Sequence, residues 1–145
     1  MIGLLQRVLS ASVTVDGEVV GAISTGILVF LGVERVDSEK RAQRLLDRLL
    51  GYRVFDDGSG RMNLSVLDVG AAMLLVPQFT LVADTEKGMR ASFAPAAGPE
   101  PGRRLFDFLV AQARERCSHV ESGRFGADMK VASVNDGPVT FWLRA

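Results

Sequence analysis

The sequence predicts an α/β fold, a mixed sheet with two helices on one side, in a single domain spanning residues 1–145. Three observations lead there. Most apolar stretches are short and bounded by turn residues, as strands are. Two segments repeat their apolar residues at helical spacing and sit between strands. No linker, internal repeat or low-complexity tail divides the 145 residues, a length that supports one core.

Leu4 to Leu9 reads as a strand. Ser12–Val15 and Glu18–Val20 flank Asp16-Gly17, a dipeptide that favours a type I′ hairpin. Gly26 to Val33 is continuously apolar, as expected of a strand covered on both faces. The period then changes. Ala42, Leu45, Leu46, Leu49 and Leu50 share one helix face, with Asp37 placed as N-cap and Gly51 just beyond the end. Tyr52–Phe55 reads as a short strand and Asp56–Gly60 as a turn. Ala72–Val76 is a buried strand that continues into Pro77-Gln78-Phe79-Thr80-Leu81. Residues 83–102, rich in Pro, Gly and Ala, read as a long loop. Leu105, Phe106, Leu109, Val110 and Ala113 mark the second helix. Met129–Val134 and Val139–Leu143 are the last strands. The order is β-β-β-α-β-β-α-β-β, give or take one short strand.

Composition narrows the function. Seventeen basic and seventeen acidic residues cancel, which argues against a general polyanion binder but leaves room for a local basic patch. A single cysteine, Cys117, precludes an intrachain disulfide and suits a reducing cytoplasm. The N-terminal segment does not read as a signal peptide, and no apolar run reaches membrane-spanning length. The expected location is cytoplasmic.

The usual catalytic signatures are missing. One histidine, His119, and one cysteine cannot build a His/Cys zinc site within a chain. No G-x-S-x-G elbow, P-loop or dinucleotide fingerprint occurs. His119 reads as a surface or capping residue, and nothing marks Cys117 as an activated nucleophile. Two clusters remain. In Pro77-Gln78-Phe79-Thr80 a proline removes a ladder donor, which frees backbone for a ligand. An ordinary strand end with a core phenylalanine fits that stretch as well. Asn135-Asp136-Gly137-Pro138, taken alone, reads as a turn before the last strand.

Taken in order, several segments resemble the D-aminoacyl-tRNA deacylase family of bacteria and eukaryotes. They include Gln6-Arg7-Val8, Gly51–Phe55, Gln78-Phe79-Thr80-Leu81, Gly88–Phe93, Gly123–Met129 and Val134–Trp142. The resemblance covers the whole chain. It implies a single-domain three-layer β/β/α fold and a cytoplasmic homodimer with a cross-subunit active site. It also implies hydrolysis of the ester that joins a D-amino acid, or mischarged glycine, to the tRNA 3′ end, with no cofactor and no metal. The family's Ser-Gln-Phe-Thr motif is matched by Gln78, Phe79 and Thr80, but Pro77 stands in place of the serine. Its Gly-Pro motif is matched by Gly137-Pro138, which in the family is cis and enters the partner's site. By the same resemblance Arg7 braces that loop through a backbone carbonyl, and Met129 lies near the terminal adenosine.

An activated ester needs orientation and oxyanion stabilisation more than a strong base. The expected donor is the backbone N–H of Phe79, helped by Thr80, whose hydroxyl has no base beside it and serves for positioning. Gly137 and Pro138 are expected to reject L-amino acids by steric exclusion. Lys87, Arg90, Arg124 and Lys130 are candidates for tRNA phosphates, although each taken singly reads as solvated. Two alternatives stand beside the enzyme. One is a non-catalytic dimeric module that binds D-amino acids or aminoacyl-adenosine. The other is a structural dimer whose Gly-Pro is a trans turn.

Overall fold

One strand of 14 residues, β1 (Ile2–Val15), organises the fold in the computed structural model, which describes all residues Met1–Ala145. It is followed by β2 (Glu18–Ile23), β3 (Gly26–Gly32), α1 (Glu39–Gly51), β4 (Phe55–Asp56), β5 (Met62–Leu64) and β6 (Ala72–Pro77). A 3₁₀ turn (Phe79–Val82), α2 (Pro99–Arg116), β7 (Val120–Ser122) and β8 (Lys130–Arg144) complete the chain. The main sheet runs β2-β1-β3-β6-β7, with β8 also on β1, and β4 and β5 form a separate ribbon. Pairing is antiparallel around β1 and parallel at β3–β6 and β6–β7. This is the mixed sheet with two helices that the sequence predicts.

Alternation along β3 and β6 explains the layers. Ile27, Val29, Leu31, Met73 and Leu75 face one core, together with the buried leucines of α1 and α2. Leu28, Leu74 and Val76 face a second core with Val13, Val15 and Ile23 from β1 and β2. A strand sends successive side chains to opposite faces, so two strands buried on both sides must read as continuous apolar runs. The second half of β1 therefore lies over β3 and β6 as its own layer, opposite the helices. Close approach is enforced at Gly26, where a Cβ would fall 2.1 Å from the Ala72 carbonyl oxygen.

The hairpin forms as expected, with Asp16 at φ 50° and Gly17 at φ 85°. Helix α1 buries all five predicted residues, Ala42, Leu45, Leu46, Leu49 and Leu50. Each leucine contributes roughly 1.5–3 kcal/mol by leaving water. Its ends differ from expectation. Ser38 occupies the N-cap, and Gly51 is the last helical residue rather than the one beyond it. Asp37 is engaged elsewhere: its carboxylate accepts from the Met1 ammonium at 2.6 Å and the Glu34 N–H at 2.7 Å. Leu4–Leu9 and Ser12–Val15 are one strand, and so are Met129–Val134 and Val139–Leu143 in all but the first residue. The expected strand at Tyr52 shrinks to Phe55–Asp56, paired with Met62–Leu64. The long loop ends at Gly98, because α2 already starts at Pro99; proline suits a first helical position, where no N–H bond is needed.

Candidate active site

β6 does not continue past Pro77. The Gln78 N–H closes the ladder on the Leu31 carbonyl at 2.8 Å, and the chain then turns into the 3₁₀ segment. Leu81 N–H donates to Gln78 O and Ala83 N–H to Thr80 O, both at 3.2 Å. The amides of Phe79 and Thr80 are the first two of the turn, so the turn itself offers them no acceptor. The side chains of Gln78 and Thr80 lie on the same side, with the Gln78 amide donating to the Thr80 hydroxyl. An amide takes no proton at neutral pH, so this contact orients the hydroxyl without activating it. Phe79 is 59 % exposed, and its ring lies against that of Phe93, centroid to centroid 5.1 Å. It is no core residue. The strand-to-turn switch points it outward, which a strand reading could not foresee. Phe93, on the loop before α2, borders the turn through this contact, and sequence reasoning did not single it out.

Met129 joins this cluster by way of Gly123. A Cβ on Gly123 would lie 2.8 Å from Met129 Sδ and 3.4 Å from Pro77 Cδ, so the methionine and the proline both border the glycine. Pro77, Gln78, Phe79, Thr80 and Met129 thus gather at one end of β6.

Gly137 and Pro138 lie elsewhere. Gln6 pairs with Thr140 and Val8 with Asn135, so residues 136–139 bulge opposite the single residue Arg7. The Gly137-Pro138 bond is cis, both residues are exposed, and Gly137 has φ 119°. That backbone angle favours glycine, and a Cβ would also fall 2.8 Å from Val139 Cγ2 and 3.1 Å from Arg7 Nη2. Three side chains hold the bulge. Arg7 Nη1 donates to Val54 O at 2.6 Å, and Arg7 Nε lies 2.9 Å from Asp136 Oδ2 as an ion pair without directed hydrogen-bond geometry. Asn135 accepts from Val139 N–H at 3.1 Å and donates to Thr140 Oγ1 at 2.9 Å. Arg7 therefore bonds a carbonyl as expected, but it is that of Val54 and not one within the Gly-Pro loop. The Asn135 clamp escapes a reading by motif, although the residue stands directly before Asp136-Gly137-Pro138; its capacity to accept and donate at once was the available signal.

The register keeps the two clusters apart. Arg7 pairs with Ile27, and Ile27 with Met73. Gln78, just past the end of β6, is five residues further along than Met73, about 16 Å at the usual rise per residue. His119 stays outside both clusters; its Nδ1 is 3.1 Å from Ser118 Oγ, and Cys117 is buried.

The family described as D-Tyr-tRNA(Tyr) deacylase matches residues 4–144. This chain belongs to that family. The D-aminoacyl-tRNA deacylase of Alkalilimnicola ehrlichii is 63 % identical over 145 residues, covering 100 % of this chain and 97 % of that protein. The D-aminoacyl-tRNA deacylase of Thioalkalivibrio sulfidiphilus is 64 % identical over 143 residues, with 99 % and 96 % covered. Among solved structures, one described as a c-Myc DNA unwinding element binding protein superposes with a TM-score of 0.95 at 37 % identity, covering 100 % of this chain and 99 % of the other. A probable eukaryotic D-amino acid tRNA deacylase superposes at 0.84 with 18 % identity, covering 99 % and 98 %, a likeness of fold. The deacylase fold, the hydrolase class and the tRNA substrate expected from the resemblance all hold. No helix is long and apolar enough to cross a membrane.

Proposed function

We propose that the chain cleaves the ester of D-aminoacyl-tRNA and glycyl-tRNA by backbone chemistry at the Gln78–Thr80 turn, and that the Gly137-Pro138 bulge of a second copy excludes L-amino acids. The observation that carries this reading is the turn itself. Its first two amides, Phe79 and Thr80, have no acceptor within it and sit where β6 stops. A fixed N–H aimed at a developing oxyanion is worth about 3 kcal/mol of barrier. The Thr80 hydroxyl, held by Gln78, positions the ester or the attacking water. The vicinal ribose hydroxyl of the substrate assists from within the tRNA. Met129 packs against the terminal adenosine.

The separation of the clusters supports the cross-subunit arrangement. A bulge about 16 Å along the strands from the turn cannot filter substrates there within its own chain. In a two-fold dimer each bulge reaches the partner's turn. The filter is backbone, so it leaves D side chains outside and imposes no choice among them. Glycine passes because it has no side chain to clash.

The test is deacylation of matched D-Tyr-tRNA, L-Tyr-tRNA and Gly-tRNA by the purified protein. Loss of the D and glycine esters with the L ester spared is the expected result. Loss of all three would mean the filter is open, and loss of none would favour a module that only binds. The shared site is checked by mixing. A chain impaired in the turn and a chain impaired in the bulge, each inactive alone, should recover about a quarter of wild-type activity after subunit exchange, since one intact site forms in each mixed dimer. No recovery would place each site within a single chain.

A further inference from the structure

We propose that a groove between α2 and the segment Ser122–Phe125 binds the phosphodiester backbone of the tRNA 3′ strand just upstream of the terminal adenosine. This rests on the tRNA reading above and adds a binding surface to it.

The groove has a volume of about 320 Å³ and is walled by Arg103 and Arg114 of α2, with Ser122, Gly123, Arg124 and Phe125 on the facing segment. Arg103 and Arg114 share one face of α2, being three helical turns apart. None of the three arginines belongs to an ion pair, whereas Arg7, Arg41, Arg116 and Arg144 each do. Asp107 is the one carboxylate on the wall, so the groove carries an excess of two positive charges in a chain of zero net charge. That is a local basic site, not a general attraction for polyanions.

Two of the cations are already placed. Arg103 donates through Nη2 to the Phe125 carbonyl at 3.2 Å and lies 5.3 Å from the centre of that ring. Arg114 Nη2 is 3.5 Å from Ser122 Oγ. A planar guanidinium with donors to spare suits a phosphate oxygen. Position supplies the rest of the argument. Gly123 lines the groove, donates its N–H to Leu75 O at 2.9 Å, and abuts Pro77. The groove therefore opens beside the turn that takes the ester. A strand whose last nucleoside lies at Met129 and Phe79 has its preceding phosphates within reach of Arg124 and Arg114.

The experiment compares two substrates with the double variant Arg114→Gln/Arg124→Gln. D-Tyr-tRNA carries the upstream phosphates, and the D-tyrosyl ester of adenosine has none. Expected is a drop of tenfold or more in kcat/KM on the tRNA, mainly through KM, with no change on the adenosine ester. The log–log salt dependence should flatten by about 0.7 for each phosphate of a single strand that the variant no longer neutralises. Equal loss on both substrates would mean a structural role, and no loss on the tRNA would mean an unused groove; either overturns the proposal. Binding of a fluorescent single-stranded RNA ending in CCA gives a readout independent of turnover. If the wild type cleaves neither ester, the hydrolysis reading falls, while weaker RNA binding by the double variant still supports the groove and unchanged binding refutes it.

Discussion

The turn at Gln78–Val82 and the bulge at Asp136–Val139 are both places where a strand stops being regular, yet they are held in opposite ways. The turn is made by backbone. A ladder bond to Leu31 fixes its start, and two turn bonds fix its shape. The bulge has no ladder partners over four residues and is held by side chains, Arg7 and Asn135. A site made by backbone tolerates side-chain truncation. A site held by side chains does not. That contrast ranks the substitutions.

The largest effect is expected at Gly137. Gly137→Ala places a Cβ at φ 119° against Val139 and Arg7, strain on the order of 1–3 kcal/mol. A displacement of about 1 Å in a positioning element lowers rate on the order of 100-fold. Steady-state kinetics on D-Tyr-tRNA and L-Tyr-tRNA should show the D rate collapse and the D/L ratio shrink. Unchanged discrimination would remove the bulge from the filter.

Arg7→Met comes next. It removes a charged donor from Val54 O and the cation facing Asp136. A loss of about 1–3 kcal/mol in stability is expected, with roughly tenfold slower turnover from a loosened bulge. Arg7→Lys should recover only part of either, because one ammonium cannot reach both partners as a fork does. Full recovery by lysine, read from melting and kinetics together, would reduce Arg7 to a point charge.

Thr80→Ala should matter far less. The amides of the turn remain, and Gln78 loses only its exposed partner. Activity within a few-fold of wild type fits a positioning hydroxyl; a loss of several thousandfold would make Thr80 the nucleophile and overturn the backbone mechanism.

The smallest effect lies away from both sites. In the β4–β5 ribbon the Ser59 hydroxyl, the Ser59 N–H and the Asn63 amide hold the Asp57 carboxyl down to about 2, below its ordinary 3.8. A lowered folded pKa stabilises the fold above the unfolded value and loses that contribution as pH falls from about 4 through about 2. The difference in Tm between wild type and Asp57→Asn should be small at pH 7 and narrow further across that window, with activity unchanged. A gap that widens on acidification would give the shift the opposite sign.

Legibility in the sequence followed the range of the interactions. The α1 face, the Asp16-Gly17 hairpin and the doubly buried β3 and β6 were readable because their patterns are local. Residues of the turn and the bulge were readable as motifs through the family resemblance, but their geometry was not. Phe79 as a strand residue beside Pro77 looked equally fit for the core, and only the switch to a 3₁₀ turn exposes it. Asp37 looked like a cap because nothing near it in sequence announces Met1 as its partner. The continuity of β1 and of β8 was hidden for the same reason: each is one strand only because the other lies beside it, from Ile2 against Arg144 to Thr14 against Lys130.

By itself, then, the sequence determined which residues are apolar at which period, where the chain must turn, and which two short motifs match those of the family. Tertiary structure alone decided that those motifs stand about 16 Å apart along the strands of one chain. It also placed Gly123, which lines the groove walled by Arg103, Arg114 and Arg124, beside Pro77. The reason is physical. Local pattern sets the conformation of a segment, but register between distant strands is set by the packing of both faces of the sheet, and packing is a property of the whole chain.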